Sequence, residues 1–306
     1  MTSRRALPIL ILFLLPLHSK AFEIATDREG RPLMWPEPED LRFVVHLPEH
    51  VEQNLPANDE IVAALHAAAD AWSEVDGSGL SVTMEVAPPG ARLPKAGYDA
   101  EDPDAPNAIL FETEEWRHQP GAFAVTLRTY GRSTAHLLHA DIVVNAVDYR
   151  WEVLEARCPP DPDGAGPVDM QAVMTHELGH ALGFEHTAVR PSVMCSTVDF
   201  GEIWMRELEE TDREGLRRLY APSEDWAAGH EHSEPVAADT LALYGCSSSM
   251  SKDGSLLLIG GLLLPMGALM SCRLLKRTGS GSDAPPAADN VHGQGDGHVQ
   301  DGAIPE

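Results

Sequence analysis

Apolar residues recur with two different periods along the first half of this chain, and the changes of period mark its elements. "DLRFVVHLP" (40–48) carries a strand pattern that Pro48 closes. From Asn58, which can cap a helix, Ile61, Leu65, Ala68 and Trp72 return every three or four residues and predict a helix with one buried face. "LSVTMEV" (80–86), "NAILFE" (107–112), "GAFAVTLRT" (121–129) and "LHADIVVNA" (138–146) then read as short strands. A loop rich in Pro, Gly and Asp over 158–167 leads into an apolar helical stretch. "TDREGLRRLYAP" (211–222) opens with Thr211 and Glu214 spaced as a capping box and stops before Pro222. Strand, helix, three or four strands and two further helices make an α+β order. Most of these segments carry core rather than chemistry.

The exception is "HELGHALGFEH" (176–186). On a helix, His176 and His180 are four residues apart and lie on one face, a spacing that suits two nitrogen ligands of a tetrahedral zinc ion. Glu177 projects beside the metal, placed to act on a metal-bound water rather than to ligate. A helix continued to 186 would carry His186 away, but Gly183 can take positive φ, end the helix and return His186 as a third ligand. Three protein nitrogens leave a fourth position open, as in a catalytic zinc site. With 14 His and 25 Gly in 306 residues, HExxHxxGxxH arises by chance in roughly one such chain in five thousand. A helix that merely happens to be rich in histidine is therefore a poor account of it.

Eight residues after His186 stands Met194, in "SVMCS" (192–196). HExxHxxGxxH followed by such a Met-turn resembles the metzincin zinc peptidases. Ser196 stands where astacins and serralysins carry a tyrosine ligand, and Thr187 follows His186 where astacins have Glu and adamalysins Asp. The resemblance is therefore to the matrixin branch, over roughly residues 31–222. It implies an α+β catalytic domain with a twisted mixed β-sheet, a zinc-binding active-site helix, a Met-turn and a C-terminal helix. It also implies one catalytic zinc on His176, His180 and His186, Glu177 as the catalytic residue, and Met194 as a hydrophobic base beneath the metal. The activity implied is endopeptidase hydrolysis, with an extended protein or peptide substrate along an edge strand, for which "GAFAVTLRT" is the candidate. The rival is a non-catalytic surface binding module that zinc only stabilises; Glu177, which such a site does not need, speaks against it. No cysteine precedes Cys158, so no upstream cysteine latch is recognisable. His136, His139 and Asp141 read as exposed strand-end residues rather than a second metal site.

Charge and the chain ends add a compartment. A net charge of −26 excludes a basic nucleic-acid surface; calcium is compatible with it, but no EF-hand motif supports calcium. Arg4 and Arg5, an apolar core over 6–17 and Ser19-Lys20-Ala21 predict a signal peptide over 1–21, hence an extracytoplasmic protein. Residues 22–222 then form the peptidase domain and 223–254 a polar linker. The uncharged stretch 255–272 is followed by Arg273, Lys276 and Arg277. As a helix it would reach about 27 Å, barely enough for a bilayer core, and reads as a membrane anchor rather than a buried helix of a second domain, since no other core-forming sequence surrounds it. With "YGCSSS" before it, the same stretch also resembles bacterial C-terminal sorting segments, and residues 273–306 form a basic flank and polar tail. Four cysteines allow three pairings. Cys158 and Cys195 flank the zinc helix, and a disulfide between them would tie the Met-turn to the preceding loop in an oxidising compartment.

Overall fold

The period-two segments become the strands of one main sheet in the computed structural model, which describes residues 22–49, 52–162, 164–220, 238–244 and 247–248. In chain order the elements are β1 (Glu23–Ile24), β2 (Leu41–Val45), α1 (Asn58–Ser73), β3 (Val82–Val86), β4 (Asn107–Glu112), β5 (Ala124–Gly131), β6 (Leu137–Asn145) and β7 (Arg150–Glu152). There follow β8 (Pro167–Asp169), α2 (Met170–Ala181), β9 (Phe184–Glu185), β10 (Thr197–Val198), α3 (Glu210–Tyr220), β11 (Ala238–Tyr244) and β12 (Ser247–Ser248).

The main sheet runs β11-β5-β6-β4-β2-β3. Strands β3, β2, β4 and β6 are parallel neighbours, whereas β5 is antiparallel to β6 and β11 antiparallel to β5. Helix α1 makes the crossover that a parallel β2–β3 pair requires. Its buried face is the predicted stripe: Ile61, Leu65, Ala68 and Trp72 are enclosed together with Ala64 and Ala69. Asn58 is the first helical residue rather than the cap; the cap is Ala57, whose amide donates to the Glu60 carboxylate at 3.0 Å. Beyond the main sheet, β1 pairs with β9, β7 with β8 and β10 with β12.

Strand β6 is buried at every position but Leu138, because it is interior to the sheet and helix α2 lies over it. His139 and Asp141 are therefore interior, not the exposed strand-end residues that their polarity suggested. Helix α3 also departs from expectation. It starts at Glu210, so Thr211 is not its cap; the Asp212 carboxylate reaches back to the Glu209 amide at 3.0 Å instead.

Two differences concern β11. The segment 238–244 falls within what reads as a polar linker, yet "ADTLALY" forms a strand along β5, from Ala238 opposite Gly131 to Tyr244 opposite Val125. Strand β5 is consequently not the free edge expected of it. The predicted signal peptide and the apolar stretch 255–272 lie outside the described residues. Among the described residues no helix is long and apolar enough to cross a membrane.

Candidate metal centre

Helix α2 begins where β8 ends. Asp169 caps it, accepting the Ala172 amide on Oδ1 at 2.9 Å and the Leu154 amide on Oδ2 at 3.0 Å, with Arg206 paired to the same carboxylate. Apart from Gln171 every residue of the helix is buried. At its far end Gly183 has φ +107° and its amide donates to the His180 carbonyl. A Cβ there would stand 2.4 Å from the Leu33 carbonyl oxygen, so a glycine is needed both for the turn and for the space. Side chains satisfy three carbonyls at that end: Ala181 by Trp35 Nε1 at 2.9 Å, Leu182 by the Tyr220 hydroxyl at 2.7 Å and His180 by Arg128 at 2.9 Å. The turn returns His186 to the helix. His176 Nε2 and His180 Nε2 lie 3.2 and 3.1 Å from His186 Nε2.

Two of these three nitrogens present lone pairs to the third. His176 Nδ1 lies 2.6 Å from the Val193 carbonyl and His180 Nδ1 2.9 Å from the Phe184 carbonyl. A carbonyl only accepts, so both ring hydrogens sit on Nδ1 and both Nε2 atoms present lone pairs. Ligands of a tetrahedral zinc ion at about 2.0–2.1 Å lie roughly 3.3 Å apart, and the histidine nitrogens fit that spacing. Burial and the neighbouring His186 push the His176 imidazole down to about 3; burial holds His180 well below, and His186 below, the ordinary histidine value. All three are thus neutral and ligand-competent at neutral pH. Among the described residues this is the one group of three or more His, Cys, Asp or Glu side chains that could hold a metal ion.

Glu177 is fully buried beside the triad. The Thr126 hydroxyl of β5 donates to its Oε2 at 2.7 Å. Met194 is buried, and its sulfur packs so closely on Gly179 that a Cβ there would stand 2.3 Å from Sδ and 2.8 Å from the Trp72 ring. Asp212 of α3 holds the Met-turn, taking the Ser192 hydroxyl at 2.5 Å and the Val193 amide at 3.1 Å. Arg128 is a second anchor. Its buried guanidinium donates to the carbonyls of His180 and Phe184 at 2.9 and 3.1 Å and pairs with Glu185, clamping the loop that carries His186.

The structure thus brings His176, Glu177, His180, Gly183, His186 and Met194 together. It does not join Cys158 to Cys195: no disulfide links them. The Cys158 amide is bonded to the Gly201 carbonyl, whereas Cys195 pairs with Thr187, so the backbone ties each to a different segment. Thr126, Arg128, Gly179 and Asp212 were not singled out from the sequence. The signals available were a charge inside the apolar run "FAVTLRTYG" and a second glycine within the zinc motif. Of the polar residues on β6, His139 Nε2 lies 2.9 Å from Asp141 Oδ1, while Asp141 also accepts the amides of Ala108 and Gly97, each at 2.7 Å. This is a latch between a loop and the sheet.

Residues 103–221 match the matrixin family model. This segment is matrixin-like. Two plant proteins of Arabidopsis thaliana align with part of the chain: Metalloendoproteinase 2-MMP at 40% identity over 53 residues and Metalloendoproteinase 5-MMP at 38% over 53. Each alignment covers 17% of this chain and 14% of the relative. The α+β order, the mixed sheet, the helix carrying the histidines and the closing helix α3 are the layout expected of a matrixin-like domain.

Proposed function

We propose that this chain is a zinc-dependent endopeptidase that hydrolyses peptide bonds in extracytoplasmic proteins. The observation that carries the proposal is the convergence of three neutral imidazole Nε2 atoms beside one buried glutamate. Zinc held by His176, His180 and His186 would supply Lewis acidity to the scissile carbonyl and make an attacking water more acidic. Glu177 takes the proton of that water and passes it to the leaving amine. The Thr126 hydroxyl fixes the Glu177 carboxylate for this task through its bond to Oε2. Gly183 turns the chain so that His186 can return, and Met194 closes the floor of the site against Gly179. In the same proposal residues 22–222 are the peptidase domain, residues 1–21 direct export and 255–272 attach the chain to a membrane or sort it.

Zinc content measured together with cleavage of a broad peptide library, on the wild-type chain and Glu177→Ala, tests this. Both proteins should hold about one zinc, and the variant should lose roughly 10²–10⁴ in rate. Zinc on both proteins and cleavage by neither would leave a zinc-stabilised binding module in its place.

A further inference from the structure

Two sheet edges flank the metal centre, and consecutive strands of one C-terminal segment hold both. On one side is β5, whose Thr126 hydroxyl is bonded to Glu177; Thr126 pairs with Leu243 of β11. On the other is β10, which begins three residues after Met194; Thr197 and Val198 there pair in parallel with Ser247 and Ser248 of β12. The β10 side is tied to the centre through the Met-turn, because the Val193 carbonyl holds His176 Nδ1 and the Met194 carbonyl accepts the Thr187 amide. The segment therefore runs antiparallel to the strand beside Glu177 and parallel to the strand beyond Met194. A peptide lying extended between those strands would use the same main-chain groups.

We infer that β11 and β12 are an intramolecular occupant of the peptide-binding edges, competing there with substrate; the inference rests on the peptidase reading. An exposed edge presents a row of unpaired N–H and C=O groups and attracts any extended chain. From Thr240 to Tyr244 the occupant carries no charge and no proline, so nothing in it opposes a ladder. Tethered to α3 through residues 221–237, it acts at an effective concentration on the order of millimolar. If the same peptide free in solution binds with a Kd of about 0.1 mM, the tethered copy leaves the cleft open roughly one tenth of the time. The domain would thus carry its own moderate brake on the C-terminal side, and displacement or removal of the segment would release it.

The test uses the full chain with Leu241→Pro and Ala242→Pro together, since of two successive amides in a strand one faces the neighbour and proline removes it. Amide hydrogen exchange, binding of a labelled synthetic peptide with the sequence of residues 238–248, and peptide hydrolysis are each measured against wild type. Exchange in α2 must be unchanged, which shows that the variant keeps its fold. Exchange in β5 should speed up, the peptide should bind the variant about tenfold more tightly than wild type, and hydrolysis should rise about tenfold. Equal β5 exchange, or equal peptide binding, would overturn the inference. Altered binding with equal hydrolysis rates would overturn its competitive part. Altered binding with no hydrolysis by either protein would uphold the occupancy and defeat the peptidase reading instead.

Discussion

His139 and the triad of His176, His180 and His186 lie in one fold, three of the four rings fully or almost fully buried, yet they have opposite chemical fates. His139 gives its Nε2 to Asp141, and the two oxygens of that carboxylate are further occupied by the Ala108 and Gly97 amides. Each strong acceptor is used inside the protein. In the triad, the Nδ1 hydrogens of His176 and His180 go to carbonyls, so their Nε2 lone pairs point at the Nε2 of His186 and the three nitrogens converge on one spot. Burial is common to both groups. A metal site differs in being a set of convergent lone pairs that the fold leaves unsatisfied.

The contrast can be broken most severely at Asp141. Replacing it with Ala leaves His139, the buried Ala108 amide and the half-buried Gly97 amide without their acceptor, which should cost about 3–5 kcal/mol of stability. Thermal unfolding should fall by roughly 10 °C or more while zinc per chain stays unchanged; loss of zinc with an intact unfolding temperature would mean that the β6 pair belongs to the metal site. Gly179→Ala strikes the other group. The added Cβ meets Met194 Sδ and the Trp72 ring, an overpacking expected to cost about 1–3 kcal/mol and to loosen the metal as well as the fold. Arg128→Met removes the clamp on the His180 and Phe184 carbonyls and should weaken zinc by about 10–100-fold in a competition titration, more than it disturbs β6.

The smallest effect is a pH dependence confined to the metal-free chain. The folded triad has lowered pKa values, so between about 6.5 and 3 the unfolded chain binds more protons than the folded one. The stability contributed by the neutral rings is therefore complete above about pH 6.5 and is lost as the pH falls toward 3. Thermal midpoints of the chelated protein should drop over that window, and His176→Gln should flatten the drop. An equally steep curve in the variant would assign the acid sensitivity to other groups.

What could be read from the amino acids was whatever lies close together along them. HELGHALGFEH brings two ligands, a carboxylate and the returning third histidine within eleven residues, so helix geometry and one glycine suffice to assemble them. The strands and α1 were legible for the same reason, since their periods are local. The supports of the site were not. Arg128 reaches His180 across 52 positions, Trp35 reaches Ala181 across 146, and Asp212 takes the Ser192 hydroxyl from another element. Burial of His139 and Asp141 depends on β6 being central, which only the strand order reveals. Strand β11 was hidden by its setting: the proline, serine and acidic residues of 222–237 read as tether, although "ADTLALY" carries β-forming residues.

The most direct measurement is zinc affinity in the full chain for wild type, His186→Gln and His139→Gln, with thermal unfolding recorded on the same samples. Convergent lone pairs predict about one zinc per chain for wild type and for His139→Gln, which should lose stability only. They predict a fall of about 10³-fold or more for His186→Gln, roughly a third of the total binding energy of such a site. Unchanged zinc affinity in His186→Gln, or an equal loss in His139→Gln, would contradict the account.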